Sequence, residues 1–349
     1  MATLPLLKSP DDYVARTIDI LTHDQNRTYW LGLFRRQWIS LLQHAVRSEA
    51  ASDTVHERCG QAKQEFLEFL DAVEQTPDLH GDLTVPFICE VREQILRRAG
   101  FADPYKPVKI EENQSCLELL PQVLRELDAQ PDDSRLQALI EGVFAGNIFD
   151  LGAAKTTEMY ENGELDFRSA RSKLPDRPWL VDDLDLLNER FAGPAHHKAM
   201  LFVDNAGADV VLGMIPLGRE LLKRGSQVVL TANTTPALND IIHDELVKLI
   251  QVIAGFDEVV ANGLADGKLK LVPSGNGIPL IDFKRVGDDI ANEAKDVDLL
   301  IIEGMGRALE SNYHTQFTCE SLKLAIIKEP HVAEVFGGNM YDVVCRYEQ

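Results

Sequence analysis

Positive charge is scarce in this sequence. Its 349 residues include 35 Lys and Arg against 56 Asp and Glu, so the formal net charge is −21. A field of that sign argues against nucleic acid as a partner, because nucleic acids are bound through cationic contacts to phosphate. It also argues against an anionic membrane surface. A phosphorylated ligand would meet the same repulsion, so an anion site here requires a metal ion, a helix N-terminus or a few well-placed Lys and Arg.

Cysteines and long apolar runs are also few. The five cysteines are widely spaced, odd in number and form no CxxC pair, which indicates reduced thiols in an intracellular protein. No apolar run approaches the length of a membrane span, and the N-terminus has no apolar stretch typical of a secretory signal. We therefore expect a cytoplasmic protein without a membrane partner. The sequence leaves open whether it is a monomer or a homodimer.

The periodicity of apolar residues divides the chain. As far as about residue 146 it is helical, and from about residue 199 short apolar runs alternate with helical patterns, which favours βαβ units. The predicted helical stretches are 27–47, 55–74, 86–99, 114–128, 134–145, 208–224 and 236–252. The predicted strands are 199–203, 227–231, 268–272, 298–302, 322–327 and 341–346.

These elements predict an α/β fold with a mainly parallel sheet flanked by helices, Rossmann-like in three layers, and an all-helical N-terminal domain. The predicted division is a helical domain at 1–146, a connecting and wrapping segment at 147–198, and an α/β metal-binding catalytic domain at 199–349. In such sheets ligands bind at the carboxyl ends of the strands, so those ends are the places to look for chemistry.

The first predicted strand ends in an acid and an amide, Asp204 and Asn205. Small residues follow at 206–208, where a helix begins whose free N–H groups point to the same place. Carboxylate and carbonyl oxygens are hard ligands that suit Mg²⁺ or Mn²⁺. Asp and Asn are equally typical of helix caps, so this segment alone leaves both interpretations open.

The second strand is followed by another acid. Pro236 suits the first turn of a helix with Thr234 or Thr235 as the N-cap, and Asp240 then lies one turn into that helix. This would place a third oxygen ligand one βα unit after the first pair. The alternative is that Asp240 is only a favourable charge in a first helical turn.

Two later strand ends carry polar and cationic residues. Glu303 ends one strand and is followed by Gly304, Gly306 and Arg307, while Lys328 follows the next strand. Two glycines without a third at the required spacing are weak grounds for a nucleotide fingerprint. Arg307 and Lys328 would supply the local positive charge that the acidic chain otherwise lacks, although Lys328 alone could be a solvated strand end.

Taken together, these segments resemble the damage-control phosphatases, the ARMT-like family of metal-dependent phosphatases. The likeness rests on VDNAGAD, TANTTPALND, IIEGMGRALESN and the LKLAIIK–GG–YDVV ending, and it extends to AGNIFDLGA at 145–153. It is strongest to the plant-type members and to the phosphatase domain fused to a pantothenate kinase. One departure is Ser311-Asn312, where relatives usually have Thr-Asn.

The resemblance implies residue roles, which we take as expectations. Asp204, Asn205 and Asp240 are the implied metal ligands, for Mg²⁺ or Mn²⁺, with Co²⁺ and Ni²⁺ as further candidates. The implied catalytic residues are Asp204, Asp240, Arg307 and Lys328. The implied substrate contacts are Asn147, Glu303, Arg307, Lys328 and the backbone N–H groups near 206–208, including that of Gly207.

The implied activity is divalent-metal-dependent hydrolysis of a small phosphomonoester, either 4′-phosphopantetheine, a damaged form of it, or a sugar phosphate. A metal-positioned water is the preferred nucleophile. Asp204 is the alternative nucleophile, although Ala206 breaks the DxD pattern typical of aspartyl-phosphate enzymes.

Two other classes of function stay open. An S-adenosylmethionine-dependent methyltransferase fits a strand ending in Asp, but the turn lacks G-x-G, and a non-enzymatic metabolite-binding protein fits the fold alone.

Overall fold

The structure is a computed structural model that describes residues 1–49, 53–148, 171 and 174–349. Residues 149–170, 172 and 173 of the predicted connecting segment, and with them the second half of AGNIFDLGA, lie outside those residues. The first five helices are α1 Asp24–Arg47, α2 Asp53–Gln75, α3 Val85–Arg98, α4 Lys106–Asp128 and α5 Asp132–Ile148. The other described helices are α6 Leu184–Ala192, α7 Ile215–Lys223, α8 His243–Ala254, α9 Glu258–Ala265, α10 Asp288–Glu293 and α11 Pro330–Phe336.

Seven described strands form one sheet. They are β1 Val181–Asp182, β2 Lys198–Phe202, β3 Gln227–Ala232, β4 Leu269–Pro273, β5 Leu299–Glu303, β6 Glu320–Ile326 and β7 Val343–Glu348. Six of them match the predicted strands to within two residues at each end. That accuracy follows from burial: every residue of β2 and β5 is buried, and buried parallel strands appear in sequence as unbroken apolar runs.

The strand order across the sheet is β1-β7-β6-β5-β2-β3-β4. Strands β6, β5, β2, β3 and β4 are mutually parallel, and β7 runs antiparallel to β6, so the prediction of a mainly parallel sheet is confirmed. The chain leaves β2 towards β3 on one side and returns to its other side with β5. The gap between the ends of β2 and β5 is therefore a topological switch point, where α/β folds bind ligands.

Two hydrophobic clusters cover the two faces of the sheet. One contains Met200 and Phe202 of β2 together with the buried side chains of α1–α3. The other contains Ala199 and Leu201, whose side chains point to the opposite face, together with α4, α5 and α6. Helices α4 and α5 therefore share a core with the sheet, while the domain bounds stated above stay a prediction.

Helix α4 begins eight residues earlier than predicted, at Lys106 rather than 114. Its first two turns bury Lys109, Glu112 and Asn113, where apolar residues would have been the signal of a helix. Polar burial of this kind is invisible to hydrophobic periodicity.

The helix predicted over 236–252 is wrong in its first part. Helix α8 starts at His243, and residues 233–242 form a loop in which Asp240 pairs with Asn205 and Ile242 with Asn233 as isolated bridges. Pairing with a neighbouring loop satisfies the backbone groups that a helix would otherwise have satisfied. Asp240 is therefore a loop residue rather than a first-turn acid.

None of the described helices is both long and apolar enough to cross a membrane. The five cysteines are free thiols.

Candidate functional site

The loops that follow β2 and β3 are joined by backbone hydrogen bonds. Ala206 donates its N–H to the carbonyl of Asn239 at 3.0 Å, and Ile241 donates to the carbonyl of Asp204 at 3.0 Å. The three implied metal ligands, Asp204, Asn205 and Asp240, consequently meet at one place, and all three are buried. The sequence predicted this meeting from strand ends, but the pairing of the two loops is what creates it.

Arg307 lies between the two aspartates. It belongs to a π-helical turn, Met305–Glu310, that follows β5. Its Nη1 is 2.8 Å from Asp204 Oδ1 and its Nη2 is 2.7 Å from Asp240 Oδ2. The side chain is 1% exposed. Burial alone would favour the neutral guanidine, yet the neighbouring carboxylates hold the pKa of Arg307 above its ordinary value.

Further hydrogen bonds hold this arrangement. Arg307 also donates to the carbonyl of Val203, and Asn233 donates its amide to Asp240 Oδ2 at 2.8 Å and to the carbonyl of Ile278 at 3.1 Å. Gly304, at φ 101° and ψ 146°, lies so close to Asp204 that a Cβ there would be 2.1 Å from Oδ2. The glycine is thus required both by the backbone conformation and by the approach of Asp204.

Asp209 is a site residue that the sequence reasoning missed. It lies in the π-helical turn Asp209–Met214, and single carboxylate oxygens of Asp204, Asp209 and Glu303 lie within 4.8 Å of one another. The predicted substrate contact Asn147, near the end of α5, donates to Asp209 Oδ2 at 2.9 Å and to Glu303 Oε1 at 2.7 Å. The available signal was position: Asp209 is the last letter of VDNAGAD, at the helix start that faces the strand ends.

These buried acids are electrostatically strained. Burial raises the pKa of Glu303 well above its usual range, and the Asp209 and Asp204 charges raise it further, while Arg307 and Lys328 oppose the rise. Burial also raises the pKa of Asp209. Three buried oxygens of this group, Asp209 Oδ1, Glu303 Oε2 and Asn147 Oδ1, accept no hydrogen bond from the described residues. Such oxygens are free to coordinate a cation.

Lys328 and Gly207 complete the predicted set. Lys328 lies two residues beyond β6, is partly exposed, and donates to the carbonyl of Asn147 at 3.2 Å. The N–H of Gly207, expected to bind substrate, donates to Asn113 Oδ1 at 2.7 Å. That N–H is therefore already used within the protein.

The charges of the group do not balance. Among the described residues, four carboxylates (Asp204, Asp209, Asp240 and Glu303) lie with two cations, Arg307 and Lys328. Fully ionised, they leave two negative charges in a buried place, where uncompensated charge is costly. The donors are all oxygen atoms, the ligands that Mg²⁺ and Mn²⁺ prefer. The residues present thus fit a divalent cation in charge and in chemistry.

Comparison with known proteins defines the class. Residues 33–344 match the model of the damage-control phosphatase ARMT1-like domain, so this chain belongs to that family. A solved DUF89 family protein from Pyrococcus horikoshii has the same fold, with a TM-score of 0.61 over 91% of this chain and 97% of that one, at 15% sequence identity.

Individual relatives carry more specific names. The chain is 38% identical to damage-control phosphatase At2g17340 of Arabidopsis thaliana, over 93% of this chain and 88% of that protein. It is 40% identical to pantothenate kinase 2 of the same plant and 33% identical to the 4′-phosphopantetheine phosphatase of Mus musculus, in each case over 100% of this chain. Those two are longer proteins, of which the chain spans 42% and 48%.

Proposed function

We propose that this chain is a divalent-metal-dependent phosphatase that hydrolyses a small phosphorylated metabolite. The observation that carries the proposal is the group of four carboxylates and two cations at the switch point of the sheet, in a chain of the damage-control phosphatase family. The first candidate substrate is 4′-phosphopantetheine or a damaged form of it, after the name of the mouse relative. A sugar phosphate is the second.

The proposed metal ligands are Asp204, Asn205 and Asp240, with Mg²⁺ or Mn²⁺ as the first metals to test and Co²⁺ and Ni²⁺ next. The placement of Asn205 beside Asp204 supports this set: its Nδ2 donates to Asp204 Oδ2 at 3.3 Å and to Asp209 Oδ2 at 2.9 Å. A second candidate set, Asp204 with Asp209 and Glu303, is favoured by the 4.8 Å limit on the distances between their oxygens.

When bound, a divalent cation here supplies a Lewis acid that polarises a phosphoryl oxygen and acidifies a water. The residues of the chain supply the remaining charge. Arg307 has one N–H, that of Nε, without an acceptor among the described residues, and with Lys328 it opposes the negative charge of the phosphoryl group. Asp204 Oδ1 forms an ion pair with Arg307 Nη1 at 2.8 Å, and Asp204 Oδ2 accepts a hydrogen bond from Asn205 at 3.3 Å. That engagement favours water over Asp204 as the nucleophile.

The test is phosphate release by the purified full chain. After treatment with EDTA we expect no turnover of p-nitrophenyl phosphate, with activity restored by Mn²⁺ or Mg²⁺. A panel of phosphorylated metabolites, with 4′-phosphopantetheine and sugar phosphates, then ranks substrates by kcat/KM. Undiminished turnover after thorough chelation would exclude metal dependence. Absence of turnover on the whole panel would favour a binding protein, and methyl transfer from S-adenosylmethionine would favour the methyltransferase.

A pair of isosteric variants separates the two ligand sets. Asp240→Asn removes a charged ligand from the first set, and Glu303→Gln removes one from the second. If the first set is correct, calorimetric titration with Mn²⁺ will show a dissociation constant raised at least about tenfold by Asp240→Asn and less by Glu303→Gln. The reverse order would transfer the assignment to Asp209 and Glu303.

A cytoplasmic location and a monomeric or homodimeric state are further parts of the proposal. Cell fractionation and light scattering of the purified chain test them.

A further inference from the structure

A fully buried lysine lies behind the loop that carries Asp240. Lys109, in the second turn of α4, is 0% exposed, and its Nζ is 2.9 Å from Asp103 Oδ2 and 3.0 Å from Glu245 Oε1. The same Nζ donates to the backbone carbonyl of Asp240 at 3.4 Å. An ammonium group buried in this way persists only when its donors are well used, and here one of them is used on the backbone of an implied metal ligand.

The partner of Lys109 controls where that loop ends. Glu245 lies in the first turn of α8, and its Oε2 accepts a hydrogen bond from the N–H of Ile242 at 3.2 Å. Lys109 and Glu245 together therefore hold the segment 240–242 at both its carbonyl and its N–H. The position of Asp240 follows from these contacts as well as from its pairing with Asn205.

One helical turn further on, α4 holds the other ligand loop. Asn113 accepts the N–H of Gly207 on its Oδ1 at 2.7 Å. Gly207 has φ 77°, and a Cβ there would be 2.9 Å from Glu112 Oε2, so the loop lies directly against the helix. Residues four apart share one face of a helix, so Lys109 and Asn113 present a single surface to both loops.

We propose that Lys109 and Asn113 are positioning residues: the first two turns of α4 set the separation of the loops that carry Asp204, Asn205 and Asp240, and with it the affinity for the metal. The inference rests on the proposed metal site. It assigns a role to residues outside the proposed ligand set, and it explains why these two turns bury polar residues.

The test compares two buried lysines. Lys323 is also 0% exposed, and its Nζ is 2.7 Å from Glu348 Oε2 and 2.9 Å from the carbonyl of Tyr313, away from both ligand loops. Lys109→Met and Lys323→Met therefore each remove one buried ammonium group and leave its carboxylate and carbonyl partners without it. We expect both to lower stability to urea, but only Lys109→Met to raise the Kd for Mn²⁺, by about tenfold or more in calorimetric titration.

A second pair keeps the test decisive if Lys109→Met does not fold. Asn113→Leu removes the acceptor of the Gly207 N–H, whereas Asn113→Asp keeps an oxygen there. We expect the Leu variant to weaken Mn²⁺ binding about tenfold and the Asp variant to retain most of the wild-type affinity. With p-nitrophenyl phosphate at saturating Mn²⁺, the Leu variant should recover most of its kcat.

Each outcome bears on one proposal or the other. Equal Mn²⁺ affinity in Lys109→Met and Lys323→Met, or in the two Asn113 variants, would refute the positioning role. A wild-type chain that binds Mn²⁺ but hydrolyses no phosphomonoester refutes the proposed function, while the affinity differences still test the positioning. A wild-type chain that binds no Mn²⁺ overturns both.

Discussion

Gly304→Ala is expected to disable the site by displacing a single carboxylate. Residue 304 has φ 101° and ψ 146°, in a region that essentially only glycine occupies, so a side chain there costs about 1–3 kcal/mol in backbone strain. The added Cβ would also lie 2.1 Å from Asp204 Oδ2, and real Cβ atoms stay at 3.0 Å or beyond. Asp204 must therefore retreat by at least about 0.9 Å, the difference between those two distances. A shift of about 1 Å in an active-site group costs about 10²-fold in rate.

Gly225→Ala is the matched control. Residue 225 has φ 102°, in the turn between α7 and β3, and a Cβ there would meet nothing within 4 Å. Both variants should lose stability in urea denaturation, but only Gly304→Ala should lose Mn²⁺ affinity and about 10²-fold in phosphatase kcat/KM. If Gly304→Ala retains wild-type Mn²⁺ binding, or if Gly225→Ala loses it equally, the displacement of Asp204 is not the cause and the reasoning fails.

Two further predictions concern charge. Arg307→Met leaves Asp204 and Asp240 without their shared cation. In urea denaturation with EDTA present, the free energy of unfolding should therefore fall by about 3–5 kcal/mol, and a fall of less than about 1 kcal/mol would contradict the buried ion pairs. At the surface, hydrogen bonds from Arg219 and Lys223 lower the pKa of Asp128 from 3.8 to about 2 against the opposing effect of burial. Its stabilisation is therefore present above about pH 3.8 and is lost as the pH falls towards 2. Asp128 is 37% exposed, so Asp128→Asn should lower the free energy of unfolding by less than about 1 kcal/mol at pH 7. The difference in unfolding free energy between wild type and variant should narrow between about pH 4 and pH 3. A difference that grows instead would contradict the ion pair.

The sheet was the most predictable part of the molecule. The predicted strand 298–302 contains the apolar run 299–302, which is typical of a strand buried on both faces, and the observed strand Leu299–Glu303 is shifted by a single residue. The placement of Asp204 and Glu303 followed from the same strands, since parallel neighbours end at one edge. Helix α5 contains the predicted stretch 134–145, and Leu139, Val143 and Phe144 are among its buried residues.

The two helix starts that the sequence did not predict correctly, those of α4 and α8, share another cause. The start of α4 was not predicted because its buried residues are polar, and the start of α8 was placed too early because Pro236 imitates a helix start. In both cases the deciding partners are distant in the chain: Lys109 meets the carbonyl of Asp240, and Asn205 pairs with Asp240. Local periodicity carries no information about such partners.

The sequence by itself determined the α/β class, the order of the six strands from residue 198 onward, and the presence of Asp204, Asn205, Glu303, Arg307 and Lys328 at or just after strand ends. These features depend on local patterns of burial, which the spacing of apolar residues records directly. Only the tertiary structure decided that Asp209 joins Asp204 and Glu303, that Arg307 lies between two aspartates, and that α4 contacts both the loop that follows β2 and the loop that follows β3. Those contacts are set by hydrogen bonds between segments far apart in the chain, and they exist only once the sheet and its helices have packed.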